Sequence, residues 1–119
     1  EKLILNGEPT REGGLALVQQ MMKQTEPPTA IFCFSDLVAF GVIIGLRKMG
    51  YTPGKDIDIV GFDNVPEAEI SYPPLSTVSS FAKLTGTQAA NLLHKRISDP
   101  EREKQRVMIE PELVIRESS

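Results

Sequence analysis

Asp63 is the residue in this chain best placed to do chemistry. It follows Ile57-Asp58-Ile59-Val60-Gly61-Phe62, a short apolar run that reads as a buried strand. An acid at the carboxyl end of such a strand stands where open α/β sheets place ligand-contacting side chains. Its charge keeps it at a rim or in a cleft, out of the core. A carboxylate there offers lone pairs to two neighbouring donors, which suits it to hold a polar molecule. No nucleophile and base flank it, so ligand binding is expected and a reaction is not. The plainer reading makes Asp63 a loop acid that caps Pro66-Glu67.

The other reactive residue types are isolated. His94 is the only histidine and lies beside Lys95 and Arg96, with no second ligand at metal spacing, so it reads as a surface residue. Cys33 sits in an apolar run and reads as core. Gly7 to Gly14 lacks the Gly-Lys-Ser/Thr ending of a phosphate loop. No metal site and no cofactor are expected.

The totals narrow the field further. With 119 residues the chain is one domain or a piece of a larger one. A formal charge of −3 argues against this segment gripping nucleic acid by itself, because phosphate binding needs a basic face. No apolar run approaches membrane-spanning length, and a single cysteine fits a reducing compartment. The chain opens at Glu1 with no leader sequence and is expected to be a trimmed part of a longer polypeptide.

The elements that must position Asp63 alternate strand and helix, predicting an α/β fold with a parallel sheet flanked by helices. Leu3–Leu5 reads as a strand, and Thr10 caps a helix bearing Leu15, Val18 and Met22, weakened by Gly13 and Gly14. Ala30–Phe34 follows Pro27-Pro28 and reads as a strand buried on both faces. Asp36 is expected to cap the most apolar helix, residues 37–49, with Arg47 and Lys48 in its last turn and Gly50 as its stop. Beyond Asp63, Pro66 opens a short acidic turn or helix through Ile70, and Tyr72-Pro73-Pro74 makes a stiff connector. Thr85 and Gln88 form a capping-box pattern ahead of a helix with Ala89, Leu92, Leu93 and Ile97. After a charged loop at 101–106, Val107–Ile109 and Leu113–Ile115 read as strands. So few strands cannot cover a helix as apolar as 37–49, so another segment is expected beside this one.

In order along the chain come Pro28-Thr29-Ala30-Ile31-Phe32, Ser35-Asp36, Ala39-Phe40-Gly41, Leu46-Arg47-Lys48-Met49-Gly50, Ile57 to Asp63 and Pro73 to Val78. Gly86-Thr87-Gln88-Ala89-Ala90 and Pro111 to Ser118 continue the series. Together they resemble the C-terminal part of the lac-repressor-like (LacI/GalR) family of bacterial transcription regulators. The similarity covers nearly the whole chain and is weakest over residues 1–12 and 98–106. It implies a periplasmic-binding-protein-like (type I) core of two α/β lobes joined by crossovers, present here as a partial domain. Residues 1–78 and 112–116 would belong to the C-terminal lobe, and 81–108 to the N-terminal lobe. The operator-reading N-terminal domain would lie outside this chain.

The resemblance also implies roles for individual residues. Asp63 matches the acid that accepts hydrogen bonds from effector hydroxyls or ring nitrogens. Ser35 falls where a polar cleft residue often stands, although it reads equally as a helix-start residue beside Asp36. Asp36 itself reads as a structural cap. Ser80 occupies a crossover position that often carries glutamine, Ala82 one that can carry an aromatic, and Pro9 one where sugar binders show an aromatic. These departures leave the effector's identity open. Phe40, Ile70 and Tyr72 lie on elements that form the subunit interface in the family, as does Ile44, for which core packing is the preferred reading.

The function expected on this basis is that of a cytoplasmic, ligand-responsive repressor. Its partners would be a small effector, sugar or nucleoside-like, a second copy in a homodimer, and operator DNA through the N-terminal domain. A periplasmic sugar-binding protein of the same fold is the nearest rival. A flavodoxin-like nucleotide-binding enzyme is the more distant one.

Overall fold

The computed structural model describes residues 3–119. Helix α1 spans Arg11–Met22, strand β1 Ala30–Phe32, helix α2 Asp36–Lys48 and strand β2 Asp58–Phe62. The short helix α3 (Glu67–Ile70), strand β3 (Ser76–Ser79), helix α4 (Ala82–Ser98) and strand β4 (Glu112–Val114) follow. The sheet has the order β1-β2-β3-β4. β1, β2 and β3 are mutually parallel, with Ile31 opposite Ile59 and Gly61 opposite Thr77, while β4 runs antiparallel to β3. The expected α/β architecture is therefore present, and β4 matches the strand expected near Leu113.

Thr10 caps α1 as expected, its hydroxyl accepting from the Gly13 amide at 2.9 Å. Of the two glycines after it, Gly14 lies on the contact surface of the helix, while a Cβ on Gly13 would meet the Glu8 carbonyl. A Cβ on Gly14 would run into the Val38 carbonyl, and one on Gly41 into the Arg11 carbonyl. Val18 packs on Gly45 about one turn further along. These glycines let α1 and α2 lie side by side in parallel, backbone against backbone. Both helix N-termini thus reach the same end of the sheet as the carboxyl ends of the parallel strands. The core lies between α1, α2 and the sheet and includes Val18, Val42, Leu46, Ile59 and Leu75. α2 is buried around most of its circumference, as its composition requires.

Several sequence expectations are corrected. The cap of α2 is Ser35, which accepts from the Val38 amide at 3.4 Å, and Asp36 is the first residue inside the helix. β1 is covered on one face only: Cys33 is buried, whereas Phe32 and Phe34 are exposed on the other side. An edge strand with one neighbour has too little around it to hide both faces. Leu3–Leu5 and Val107–Ile109 are not strands, because no neighbouring strand offers them a ladder. α4 begins at Ala82, ahead of the Thr85 capping box, after Phe81 in a left-handed conformation (φ 50°). With its amide inside the helix, Thr85 donates its hydroxyl to the Ser80 carbonyl instead. None of the α4 residues is buried, so the helix stands off the sheet. β3 was not legible as a strand, and Ile44, expected in the core, is 39% exposed.

Candidate functional site

Three connections leave the carboxyl ends of β1, β2 and β3 at one edge of the sheet. Ser35 follows β1, Asp63 follows β2 and Ser80 follows β3, so all three arrive at that edge. Pro9 precedes the N-cap of α1, whose N-terminus lies against that of α2 at the same end. The fold therefore gathers the four residues singled out as effector contacts on one rim. They are not equivalent in what they offer. The Ser35 oxygen is engaged as a helix cap, and Pro9 presents only an exposed ring.

Asp63 is exposed. Its amide donates to the Val78 carbonyl at 2.9 Å, prolonging the β2–β3 ladder by one step. Its backbone then turns to φ 110°, followed by Asn64 at φ 53°. The first turn of α3 has no side-chain cap, so the plainer reading of Asp63 as its cap does not hold. Partial burial and then the charge of Asp36 raise the Asp63 carboxyl above the usual carboxylate range.

Behind Asp63 lies a buried polar layer that sequence reasoning missed. Asp36 is fully buried at the start of α2, where the helix dipole favours an anion. One carboxylate oxygen accepts from the Thr77 hydroxyl at 2.5 Å and the other from the Val65 amide at 2.9 Å. A Cβ at Gly61 would collide with the same carboxylate, so glycine in β2 makes room for the acid. Asn64 donates its amide to the Thr77 hydroxyl at 3.4 Å. Its side-chain oxygen accepts from Arg116 Nη2 at 2.9 Å, while Arg116 Nη1 donates to the Leu75 carbonyl at 2.7 Å. Ser118, also fully buried, donates to the Ile59 carbonyl at 2.6 Å and accepts from the Ser76 amide at 2.8 Å. The segment after β4 thus stitches β2 to β3 beneath the rim.

Cys33 is buried near Asp36, and desolvation followed by that charge pushes its thiol up to about 12, far from a reactive thiolate. Among the described residues no group of His, Cys, Asp and Glu could hold a metal ion.

A second feature lies away from the rim. A groove of about 300 Å³ between α1, α2 and α3 is lined by Arg11, Phe40, Ile44, Arg47, Glu67, Ile70 and Tyr72. The Arg11 guanidinium lies 5.7 Å over the Phe40 ring and that of Arg47 4.8 Å over Tyr72. Ile70 is 82% and Tyr72 73% exposed, an unusual cost for two large side chains on a short segment. Phe40 differs from them. It is buried in the chain's own core at 8% exposure, leaving only part of its ring to the groove.

The periplasmic binding protein-like domain family matches residues 3–119. The chain is 37% identical over 115 residues to the HTH-type transcriptional repressor PurR of Histophilus somni, covering 97% of this chain and 34% of that protein. It therefore spans about a third of the length of the curated relatives it matches. Among solved structures, a LacI family transcriptional regulator from Enterococcus faecalis with bound ribose superposes with a TM-score of 0.91 at 31% identity. That match covers 97% of this chain and 42% of the regulator. A ribose-bound LacI family regulator from Enterococcus faecium gives a TM-score of 0.90 at 28% identity, with the same coverage.

Proposed function

Because this chain belongs to the periplasmic binding protein-like domain family, in its LacI-type branch, we propose that it forms the effector-binding and dimerisation part of a ligand-responsive transcriptional repressor. Residues 1–78 and 112–116 make the C-terminal lobe, and 81–108 belong to the N-terminal lobe, which fits the detachment of α4 from the sheet. Operator DNA is read by a segment outside these residues, in keeping with the negative charge of this one. The work is non-enzymatic and takes place in the cytoplasm. Among the described residues no helix is long and apolar enough to cross a membrane.

The observation that carries this reading is the exposed Asp63 carboxylate at a rim shared with Ser35 and Ser80. A carboxylate that makes no cap and projects from the ends of parallel strands is equipped to accept hydrogen bonds from a polyol. We infer a sugar or sugar-bearing effector whose hydroxyls donate to Asp63. Its binding favours one arrangement of the lobes and so biases operator affinity. The exposed Ile70 and Tyr72, with the part of Phe40 that reaches the groove, meet a second copy of the chain.

Calorimetric titration of D-ribose into the intact protein and its Asp63→Ala variant tests this reading. Loss of the Asp63 acceptor is expected to weaken binding by about 1–3 kcal/mol. Equal affinity in the two proteins would remove Asp63 from the site.

A further inference from the structure

The turn that aims Asp63 is conformationally costly and has to be held. Two consecutive non-glycine residues, Asp63 at φ 110° and Asn64 at φ 53°, lie in backbone regions that L side chains rarely adopt. Such conformations persist only where the surroundings over-determine them. Here the restraint comes from both sides. From α2, Asp36 accepts from the Val65 amide at 2.9 Å. From beyond β4, Arg116 donates to the Asn64 side-chain oxygen at 2.9 Å and to the Leu75 carbonyl at 2.7 Å. The Arg116 amide is fixed in turn on the Ser76 hydroxyl at 2.7 Å.

We propose that Arg116 and Asn64 are a positioning pair for the effector acceptor Asp63, a role that rests on the reading of Asp63 given above. Arg116 makes no hydrogen bond to Asp63 itself. It acts through Asn64, fixing the side chain of the residue whose backbone sets the direction of the Asp63 carboxylate. Two acceptors in different directions call for the planar fork of a guanidinium, which a lysine cannot reproduce. The pair is separated by 52 residues, so the acid at the rim is aimed from the strand that returns after α4. Effector binding and the placement of that returning strand are thereby mechanically joined.

The test uses the intact protein with Asn64→Gly and Arg116→Lys. Glycine accepts the positive φ, so the Asn64→Gly variant keeps its fold while losing the acceptor, and Arg116→Lys controls for the backbone freedom that glycine adds. Hydrogen exchange followed by mass spectrometry over residues 62–66 reads the turn directly, and D-ribose titration reads its consequence. The expected result is faster exchange in both variants and ribose affinity lowered about tenfold. That loss is expected to disappear when each change is made in an Asp63→Ala background, because the pair works only through that acid. Unchanged exchange would overturn the proposal. So would an affinity loss that persists without Asp63, which would mark the pair as structural support alone. If the unaltered protein binds no ribose, the sugar reading fails with its Asp63 contact, whereas unchanged exchange overturns the restraint of the turn by Arg116 and Asn64, so the two failures are told apart.

Discussion

The Asp36 carboxylate and the Thr77 hydroxyl lie 41 residues apart in sequence and 2.5 Å apart in the fold, both out of reach of solvent. The bond joins the start of α2 to the middle of β3. The second carboxylate oxygen takes the Val65 amide, so one side chain ties helix, strand and rim loop together.

Replacing Asp36 by alanine leaves the Thr77 hydroxyl and the Val65 amide without their acceptor inside the protein. Each stranded donor costs about 1–3 kcal/mol, and urea unfolding should report a loss at least that large. Asp36→Asn keeps one acceptor oxygen and should lose less. A variant as stable as the parent would show that the buried bonds contribute nothing net.

The helix seam gives a contrast between two glycines. Gly41→Ala forces a methyl against the Arg11 carbonyl, where backbone cannot yield, and should cost about 1–3 kcal/mol in thermal or urea unfolding. Gly86 lies within α4 with open space around it. Gly86→Ala should be stabilising by about 0.5–1 kcal/mol through helix propensity. Equal effects at the two positions would contradict the close approach of α1 and α2.

How far this architecture could be read beforehand depended on what each residue needs as a partner. The strand leading to Asp63 and the helix after Ser35 announce themselves through local apolar pattern. Ser35 and Asp36 were exchanged in role because both are good caps and a one-residue shift leaves no compositional trace. β3 stayed hidden because Ser76, Thr77 and Ser79 look like loop, yet all three are buried, Ser76 and Thr77 by bonds to Asp36, Arg116 and Ser118. Leu3–Leu5 and Val107–Ile109 failed in the opposite sense, since an apolar run becomes a strand only beside another strand. The Arg116–Asn64 pair has no local signal of any kind.

The groove between α1, α2 and α3 predicts assembly. An Ile70→Asp variant places a charge on a side chain that makes little use of its own fold, so folding should be preserved. Light scattering should then find monomers where the parent protein is dimeric. A persisting dimer would move the interface off this groove. Phe40 is a poorer site for the same experiment, because its burial would confound assembly with unfolding.

Asp63 also predicts a pH signature. Burial first, and the Asp36 charge second, raise its carboxyl above the ordinary value of 3.8. Between those two values the folded state binds more protons than the unfolded one, so this group's contribution to stability falls as pH rises through that window. Asp63→Asn removes the titration. Its stability relative to the parent should therefore increase as pH climbs through the window and stay level above it. The effect is small because the side chain faces water. Urea midpoints compared from acid to neutral pH provide the measurement, and a variant that gains nothing would mean that Asp63 titrates as a free carboxyl.

The order of synthesis gives the last strand a particular weight. The ribosome delivers Asp36, Asp63 and β3 first, then spends residues 80–111 on α4 and its loop before Arg116 and Ser118 emerge. Until then the outer edge of β3 is bare, Ser76 lacks its tail partners Arg116, Ser118 and Ser119, and the turn at Asn64 is clamped from one side only. A nascent chain therefore carries an unfinished sheet while residues 80–111 are being added, open to chaperones and proteases. A message cut short before Glu112 would still encode every residue on the rim, but not Arg116, the half of the clamp that comes from beyond β4.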